Sequence, residues 1–333
     1  MWTQVHIPDS EPAREKDSTM PITVNTAAPS SCPLCQGVMR HLFDTNDYRK
    51  PSLPERYEVV WCARCAYGKI TADLAPDRVA TFYEVDYYTH GASISSEPRR
   101  SWLARIRTHL AWRFDQGSDF SPHEIGPPGR IIDIGCGGGQ NMEKLKAAGF
   151  GVVGVEPDPK ARLSAARFGP VYSGTAEALP QEVGEQFEYA LLSHVLEHTR
   201  SPAAALARVH GLLSAGGRLI VEVPNCDAAG FDEFGPHWPW TDVPRHLHFF
   251  TQHSLTKFLD AAGFSVSRVL FTGFTRQFDA SWISTLNAIH AELRSAEYSR
   301  SWFTRQSWGL LFRTALAPPN HKYDAIRMHA RRA

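Results

Sequence analysis

Three groups of residues in this 333-residue chain have types and spacings that could do chemistry. The first lies in Ser193 to Pro202, SHVLEHTRSP, where His194, Glu197 and His198 form a His-x-x-Glu-His string. Inside a helix, such a string sets two imidazoles a turn apart and binds zinc, as in inverted zinc peptidases. The second is a set of four cysteines in two Cys-x-x-Cys pairs, Cys32 with Cys35 and Cys62 with Cys65. Each pair can fold into a tight knuckle that aims two thiolates at one tetrahedral ion. Four thiolates leave no open position, so the spacing predicts a structural zinc ribbon over residues 31–72, with a redox pair as the weaker rival. The third is IIDIGCGGGQ, residues 131–140, followed by Glu156. Glycines there permit close backbone approach to a ligand, and the carboxylate can accept both hydroxyls of a ribose. The pattern Gly-x-Gly-Gly-Gly lacks the last glycine of the dinucleotide motif, which predicts an adenosine-type ligand without a pyrophosphate.

These groups must be positioned by the elements around them. RIIDI, GVVGVE, VYSG, FEYALLS, RLIVEVP and SVSRVLF read as short apolar strands. QNMEKLKAAGF, DPKARLSAARFG, SPAAALARVHGLLSAGG and TQHSLTKFLDAAGF read as the helices between them. This alternation predicts an α/β domain over residues 121–275, with a parallel sheet covered on both faces. Ser201 followed by Pro202 reads as an N-cap and first-turn proline, so that helix begins after the histidines. The His-x-x-Glu-His string therefore falls at a strand's carboxyl end, where α/β sites assemble, and the peptidase reading loses its helix.

Three readings of the string stay open. His194 or His198 is a general base; His194, Glu197 and His198 hold a divalent metal; or Glu197 and His198 only fix the loop. Residues 224–250, PNCDAAGFDEFGPHWPWTDVPRHLHFF, are too long for an ordinary connection and are predicted to cover the site. Their aromatic and basic content predicts an acceptor pocket, with His237, Trp238 and Arg245 as substrate contacts and His246 as a further catalytic candidate. A packing lid without substrate contact is the alternative.

The flanks are read more coarsely. Residues 1–30 are predicted to be a mobile, disordered tail. Residues 73–120 are predicted to be a helical, aromatic linker or lid that packs between ribbon and main domain, with Tyr83, Tyr87 and Tyr88 as a roof over the site in the sharper reading. Residues 276–333 are predicted to be a C-terminal helical extension that docks on the main domain or, as a homodimer contact, on a second copy. Lysine plus arginine and aspartate plus glutamate each total 35, so there is no global field to draw in nucleic acid. The absence of an apolar leader or a run of ~20 apolar residues predicts a soluble, cytoplasmic protein without a membrane span.

The ordered segments DIGCGGG, VEPD, SGTAEALP, LLSHVLEH and GGRLIVEVPN, within residues 129–272, closely resemble class I S-adenosylmethionine-dependent methyltransferases. The resemblance implies a Rossmann-like, doubly wound, seven-stranded sheet and S-adenosyl-L-methionine as cofactor. It implies that Asp133, Gly135, Cys136, Gly137 and Gly139 hold the methionine end, and Glu156 with Pro157 the ribose. Thr175, Ala176 and Glu177 would face the adenine, and Ser193 completes the set. The family's final reversed strand is not evident in this sequence. The stretch PRHLHFFTQHSLTKFLDAAGF and the N-terminal ribbon followed by DYYTH are similar to the branch related to ubiquinone-biosynthesis enzymes. In that branch a Glu-x-x-Glu-His string at this place coordinates a divalent metal; here His194 stands first. The likeness implies a small-molecule acceptor, a specialised metabolite methylated on oxygen or nitrogen. The rivals are an RNA methyltransferase that uses the ribbon as reader and a non-catalytic cofactor-binding protein.

Overall fold

A computed structural model describes residues 30–49, 55–82, 102–117, 119–184, 186–293 and 300–333. Residues 1–29 of the expected tail and Tyr83, Tyr87 and Tyr88 of the expected roof lie outside the described residues. The alternation read from the sequence becomes β4 (Arg130–Ile134), α3 (Gln140–Ala147), β5 (Gly151–Val155), α4 (Pro159–Ala165), β6 (Val171–Tyr172), β7 (Phe187–Ser193), α5 (Pro202–Leu212), β8 (Leu213–Pro224), α7 (Gln252–Ala261) and β10 (Phe264–Thr272). Strands β4 to β8 pair in parallel. The alternation of side chains along a strand sends neighbours to opposite faces. Ile132 and Ile134 join Leu192, Leu206 and Val221 in one buried layer, while Ile131 joins Met142, Leu145 and Ile220 in another. Each such residue contributes roughly 1.5–3 kcal/mol by leaving water, so helices on both faces follow from the buried strands.

The sheet has seven strands in the order β10-β11-β8-β7-β4-β5-β6. Strand β11 (Ala325–Arg332) runs antiparallel between β8 and β10 and is the reversed strand not evident in the sequence. The C-terminal stretch is thus helical only in part: α8 (Ala280–Leu293), α9 (Arg300–Thr314) and α10 (Pro319–Lys322) precede that strand. Phe303, Leu310 and Leu311 of α9 are buried against Phe234 and Phe278 of the same chain. α2 (Trp102–Phe114) packs beside them, its Arg107 Nε donating to the Phe278 carbonyl at 2.9 Å. α1 (Pro76–Thr81) follows the ribbon.

The cysteine region forms β1 (Arg40–Asn46), β2 (Arg56–Cys62) and β3 (Tyr67–Ile70), an antiparallel sheet. Its fourth strand is β9 (His248–Phe249), supplied by the insert that follows β8. α6 (Ala229–Phe234) lies in the same insert. Among the described residues, no helix is long and apolar enough to cross a membrane.

Candidate active site and metal centres

Strand β4 carries Asp133, fully buried, one residue before its end, and Gly135 turns the chain at φ +70°. A Cβ at Gly135 would come within 2.5 Å of Val195 Cγ2, so only glycine lets this loop lie against the loop after β7. The amides of Gly135 and Cys136 donate to the Val155 carbonyl at 2.7 and 3.1 Å. Glu156 accepts from the Gly137 amide at 2.9 Å and from the Asp158 amide at 2.9 Å. One carboxylate thus ties the glycine loop to the start of α4, where Asp158 caps the helix and Arg162 donates to the Pro157 carbonyl at 2.6 Å. Asp133 Oδ2 is buried without a partner, and burial followed by the charge of Glu156 pushes the carboxyl up to about 8. An unpaired buried acid beside a backbone cradle fits the cationic methionine end of S-adenosylmethionine. The Cys136 side chain instead packs with Met142 in the core, burial raises its thiol well above the ordinary range, and its carbonyl accepts from the Gly139 amide at 3.0 Å.

Of the residues expected at the adenine, Glu177 is engaged with the chain itself. Its carboxylate accepts from the Arg200 and Ser201 amides at 3.2 and 2.7 Å, which fixes the N-terminus of α5. Ser201 caps that helix as expected, accepting from the Ala204 amide. Thr175 Oγ1 accepts from the Ala178 amide at 3.2 Å, stabilising a turn, and Ala176 is buried. Ser193 stands half-buried at the end of β7.

The loop after β7 is a single 3-10 turn, Leu196–His198. His194 sits at φ +55°, a strained conformation for a side chain of this size. Its Nδ1 lies 3.2 Å from Glu197 Oε1, its Nε2 lies 3.5 Å from Glu222 Oε1, and its ring stacks on Trp240 at 4.7 Å. Burial pulls this imidazole down, but the hydrogen bonds to Glu197 and Glu222 prevail and lift it to about 9. The charged form is thereby favoured at neutral pH, so acting as a general base asks His194 first to give up that proton. Glu222 is in turn gripped by Arg327, whose Nε donates to it at 2.6 Å, and Arg327 Nη1 reaches Glu124 at 2.8 Å.

His198 and His246 are arranged differently. His198 Nδ1 lies 3.0 Å from the Arg245 carbonyl and His246 Nδ1 lies 2.6 Å from the Trp240 carbonyl. A carbonyl only accepts, so in each ring Nδ1 is the donor. The two rings meet edge to face at 4.7 Å. Glu197 is fully buried and its Oε2 has no partner. One ligand atom from each of Glu197, His198 and His246 lies within 4.8 Å of the other two, and burial, then His198, holds His246 near 4 and hence neutral. Two imidazoles and a carboxylate are the donor set of a divalent ion, with the backbone carbonyls fixing the rings from behind.

Cys32, Cys35, Cys62 and Cys65 also bring one sulfur each within 4.8 Å of the others, with Cys35 and Cys62 Sγ 3.6 Å apart. The Gly37 amide helps lower Cys35 to about 7, whereas burial pushes Cys65 up to about 12. A four-sulfur cluster of this kind fits a tetrahedral ion such as zinc.

The expected substrate contacts are not brought together. Arg245 is fully buried, donating through Nη1 and Nη2 to Asp47 at 3.2 and 2.6 Å and through Nε to Asp242 at 3.0 Å. Trp238 is fully buried between Phe231 and the lid core, and His237 packs on His290 and Phe303, where burial holds it near 4. The residues that do border the 194–198 loop are Trp240 of the insert and three that the sequence did not single out, Glu222, Asp324 and Arg276. Trp240 Nε1 donates to Asp324 Oδ2 at 3.1 Å and Arg276 Nη2 to Asp324 Oδ1 at 2.6 Å. A lone acid within the buried apolar run LIVEVP was the available signal for Glu222.

Comparison with known proteins adds the following. A family model described as "Methyltransferase domain" matches residues 99–269, more than half of the chain. A "Ubiquinone biosynthesis O-methyltransferase" of Dinoroseobacter shibae is 36% identical over 147 residues, 40% of this chain and 59% of that protein. The protein of the same description from Stutzerimonas stutzeri is 32% identical over 166 residues, 43% of this chain and 70% of the relative. The chain thus spans 59% of the length of the first relative. Among solved structures, the 1,6-didemethyltoxoflavin-N1-methyltransferase of Burkholderia thailandensis is 19% identical, with TM-score 0.45, covering 82% of this chain and 97% of that one.

Proposed function

Because the chain belongs to the class I S-adenosylmethionine-dependent methyltransferases, we propose that it methylates an oxygen or nitrogen of a small specialised metabolite. The acceptor lies at the carboxyl edge of β7, between residues 194–198 and the 224–250 insert, with a divalent metal held by Glu197, His198 and His246. The observation that carries this reading is the buried, unpartnered Glu197 Oε2, set beside two imidazoles whose Nδ1 atoms are already committed to carbonyls. An ion bound there would acidify an oxygen or nitrogen ligand and hold it in place. The contact between Gly135 and Val195 sets this loop directly against the cofactor loop, and in-line transfer from a sulfonium asks chiefly for such placement.

The chain's own residues divide the remaining work. Asp133 takes the ammonium at the methionine end, and Glu156 takes the ribose hydroxyls. His194, charged between Glu197 and Glu222, holds both carboxylates and the face of Trp240 in register. The Trp240 ring, stacked on His194 at 4.7 Å and with the Arg276 guanidinium 5.0 Å from its centre, keeps that imidazole in place beside the acceptor. Four cysteines gathered for one ion is an arrangement that goes with a reducing, cytoplasmic setting.

The test is incubation of purified protein with extract and methyl-labelled cofactor, with and without added Mg(II) or Mn(II), followed by mass spectrometry. A product heavier by one methyl that disappears in Glu197→Gln supports the reading. Methyl incorporation into RNA alone would overturn it, as would bound cofactor with no methyl loss across a broad acceptor panel.

A further inference from the structure

The ribbon touches the insert at the residues that back the catalytic cluster. Strand β3 pairs with β9, placing Gly68 opposite Phe249 and Lys69 opposite His248. A Cβ at Gly68 would meet the Trp61 ring at 2.8 Å and Phe249 Cβ at 3.1 Å, so the pairing needs glycine there. The Ile70 amide donates to the Leu247 carbonyl at 3.1 Å, and Thr251 Oγ1 donates to the Ala66 carbonyl at 2.8 Å. Tyr67, one of the ribbon's buried rings, meets His248 Nδ1 through its hydroxyl at 2.5 Å.

Side chains add a second grip. Asp47, just past β1, holds the Arg245 guanidinium through both oxygens, and Arg49 holds Asp242 at 3.0 and 3.2 Å. Arg245 and Asp242 are themselves paired, so four charges alternate across the boundary between ribbon and insert. On the other side of the same backbone, the Arg245 carbonyl accepts from His198, the Leu247 amide donates to the Glu197 carbonyl at 2.8 Å, and His246 lies between them. The ribbon thus holds residues 245 and 247–249, and those residues orient His198, Glu197 and His246.

We propose that the four-thiolate ribbon is a positioning device for the Glu197/His198/His246 cluster, with Asp47 and Arg245 as its positioning residues. Occupancy of the thiolate site by zinc then sets the cluster's affinity for its own divalent ion. The coupling is carried by a rigid paired strand and a buried ion quartet, and supporting partners of a metal's ligands commonly change affinity by 10–100-fold. This inference rests on the metal reading of the cluster given above.

Zinc-loaded full-length protein is titrated with Mn(II), reading free ion by electron paramagnetic resonance. Asp47→Asn is expected to weaken Mn(II) binding about tenfold while zinc content and S-adenosylmethionine affinity stay at the wild-type value; general destabilisation would move all three. Mn(II) affinity within twofold of wild type would overturn the proposal. Arg49→Gln, at the outer end of the quartet, gives a smaller loss in the same direction should Asp47→Asn fail to fold, and no loss there overturns it equally. If wild-type protein takes up no Mn(II), the metal reading fails by itself. The coupling is then read from amide hydrogen exchange at Leu247 after a chelator strips the ribbon. Exchange at least tenfold faster supports it, and an unchanged rate overturns it.

Discussion

The glycine-loop end and the proposed acceptor end of this site are built by different means. Around Asp133 to Asp158, backbone groups do most of the holding: amides of Gly135, Cys136, Gly137 and Asp158 each find a partner within 26 residues of chain. At the acceptor end, side chains do the holding, and the partners are distant. Arg245 reaches Asp47 across 198 positions, Arg327 reaches Glu222 across 105, and Arg327 reaches Glu124 across 203. A site of the first kind depends on turn geometry and tolerates little besides glycine. A site of the second kind depends on buried charge balance, where losing one partner strands the others.

That contrast is broken most directly at Arg245. Arg245→Met leaves Asp47 and Asp242 buried with less countercharge, and is expected to cost about 3–5 kcal/mol in denaturant unfolding. A loss below about 1 kcal/mol would mean that the quartet is not what fixes the insert. The next effect concerns chemistry. Glu197→Gln keeps the side chain's shape but removes the charge facing His198 and His246, and turnover should fall at least a hundredfold, about 2.7 kcal/mol in the barrier. Cofactor affinity, measured by calorimetry, should stay within about threefold, because Glu197 lies outside the glycine loop; a parallel loss of both would deny that the two ends are separable.

Glu156→Gln probes the opposite end. The amides of Gly137 and Asp158 currently share one carboxylate, and an amide side chain can accept from only one of them. Hydrogen bonds to a charged group contribute roughly 1.5–3 kcal/mol, so cofactor affinity should drop about tenfold to a hundredfold with Mn(II) binding unaffected. Weakened Mn(II) binding would show that the ends are coupled through the sheet.

The same contrast governs what could be read before the fold was known. The glycine loop, Glu156, the Ser201 cap and the paired cysteines are contiguous signals, each set by the local needs of a turn, a cap or a knuckle. Strand β11 escaped because Arg327 and His329 make AIRMHARR look like a basic tail. Its burial is possible only because Glu222 and Glu124 neutralise Arg327, and nothing near residue 327 in the chain announces that. Arg245 was read as a substrate contact for a related reason: an arginine among aromatics suits a pocket as well as it suits a buried ion pair, and Asp47 lies in another part of the sequence. Glu177 was assigned to adenine by likeness, and its carboxylate also accepts from the amides at the start of α5.

The smallest predicted effect separates the ends by proton linkage. Burial, then the charge of Glu156, raises Asp133 to about 8, so in the free protein its carboxyl is protonated at neutral pH. A cationic ammonium brought beside it favours the carboxylate, and binding below pH 8 must release a proton. Cofactor affinity should therefore rise with pH by up to tenfold per unit, about 1.4 kcal/mol, and level off above 8. For stability the sign is opposite. An acid whose folded value exceeds its unfolded value stabilises the native state at low pH, and that contribution is lost as pH climbs from about 4 through 8. Asp133→Asn should thus flatten the affinity profile while raising the Tm of the cofactor-free protein at pH 8. Calorimetry in buffers of different ionisation enthalpy measures the released proton, and a pH-independent affinity in wild type would remove Asp133 from the ammonium site. Mn(II) binding should show no inflection assignable to Asp133, since that carboxyl belongs to the backbone-built end.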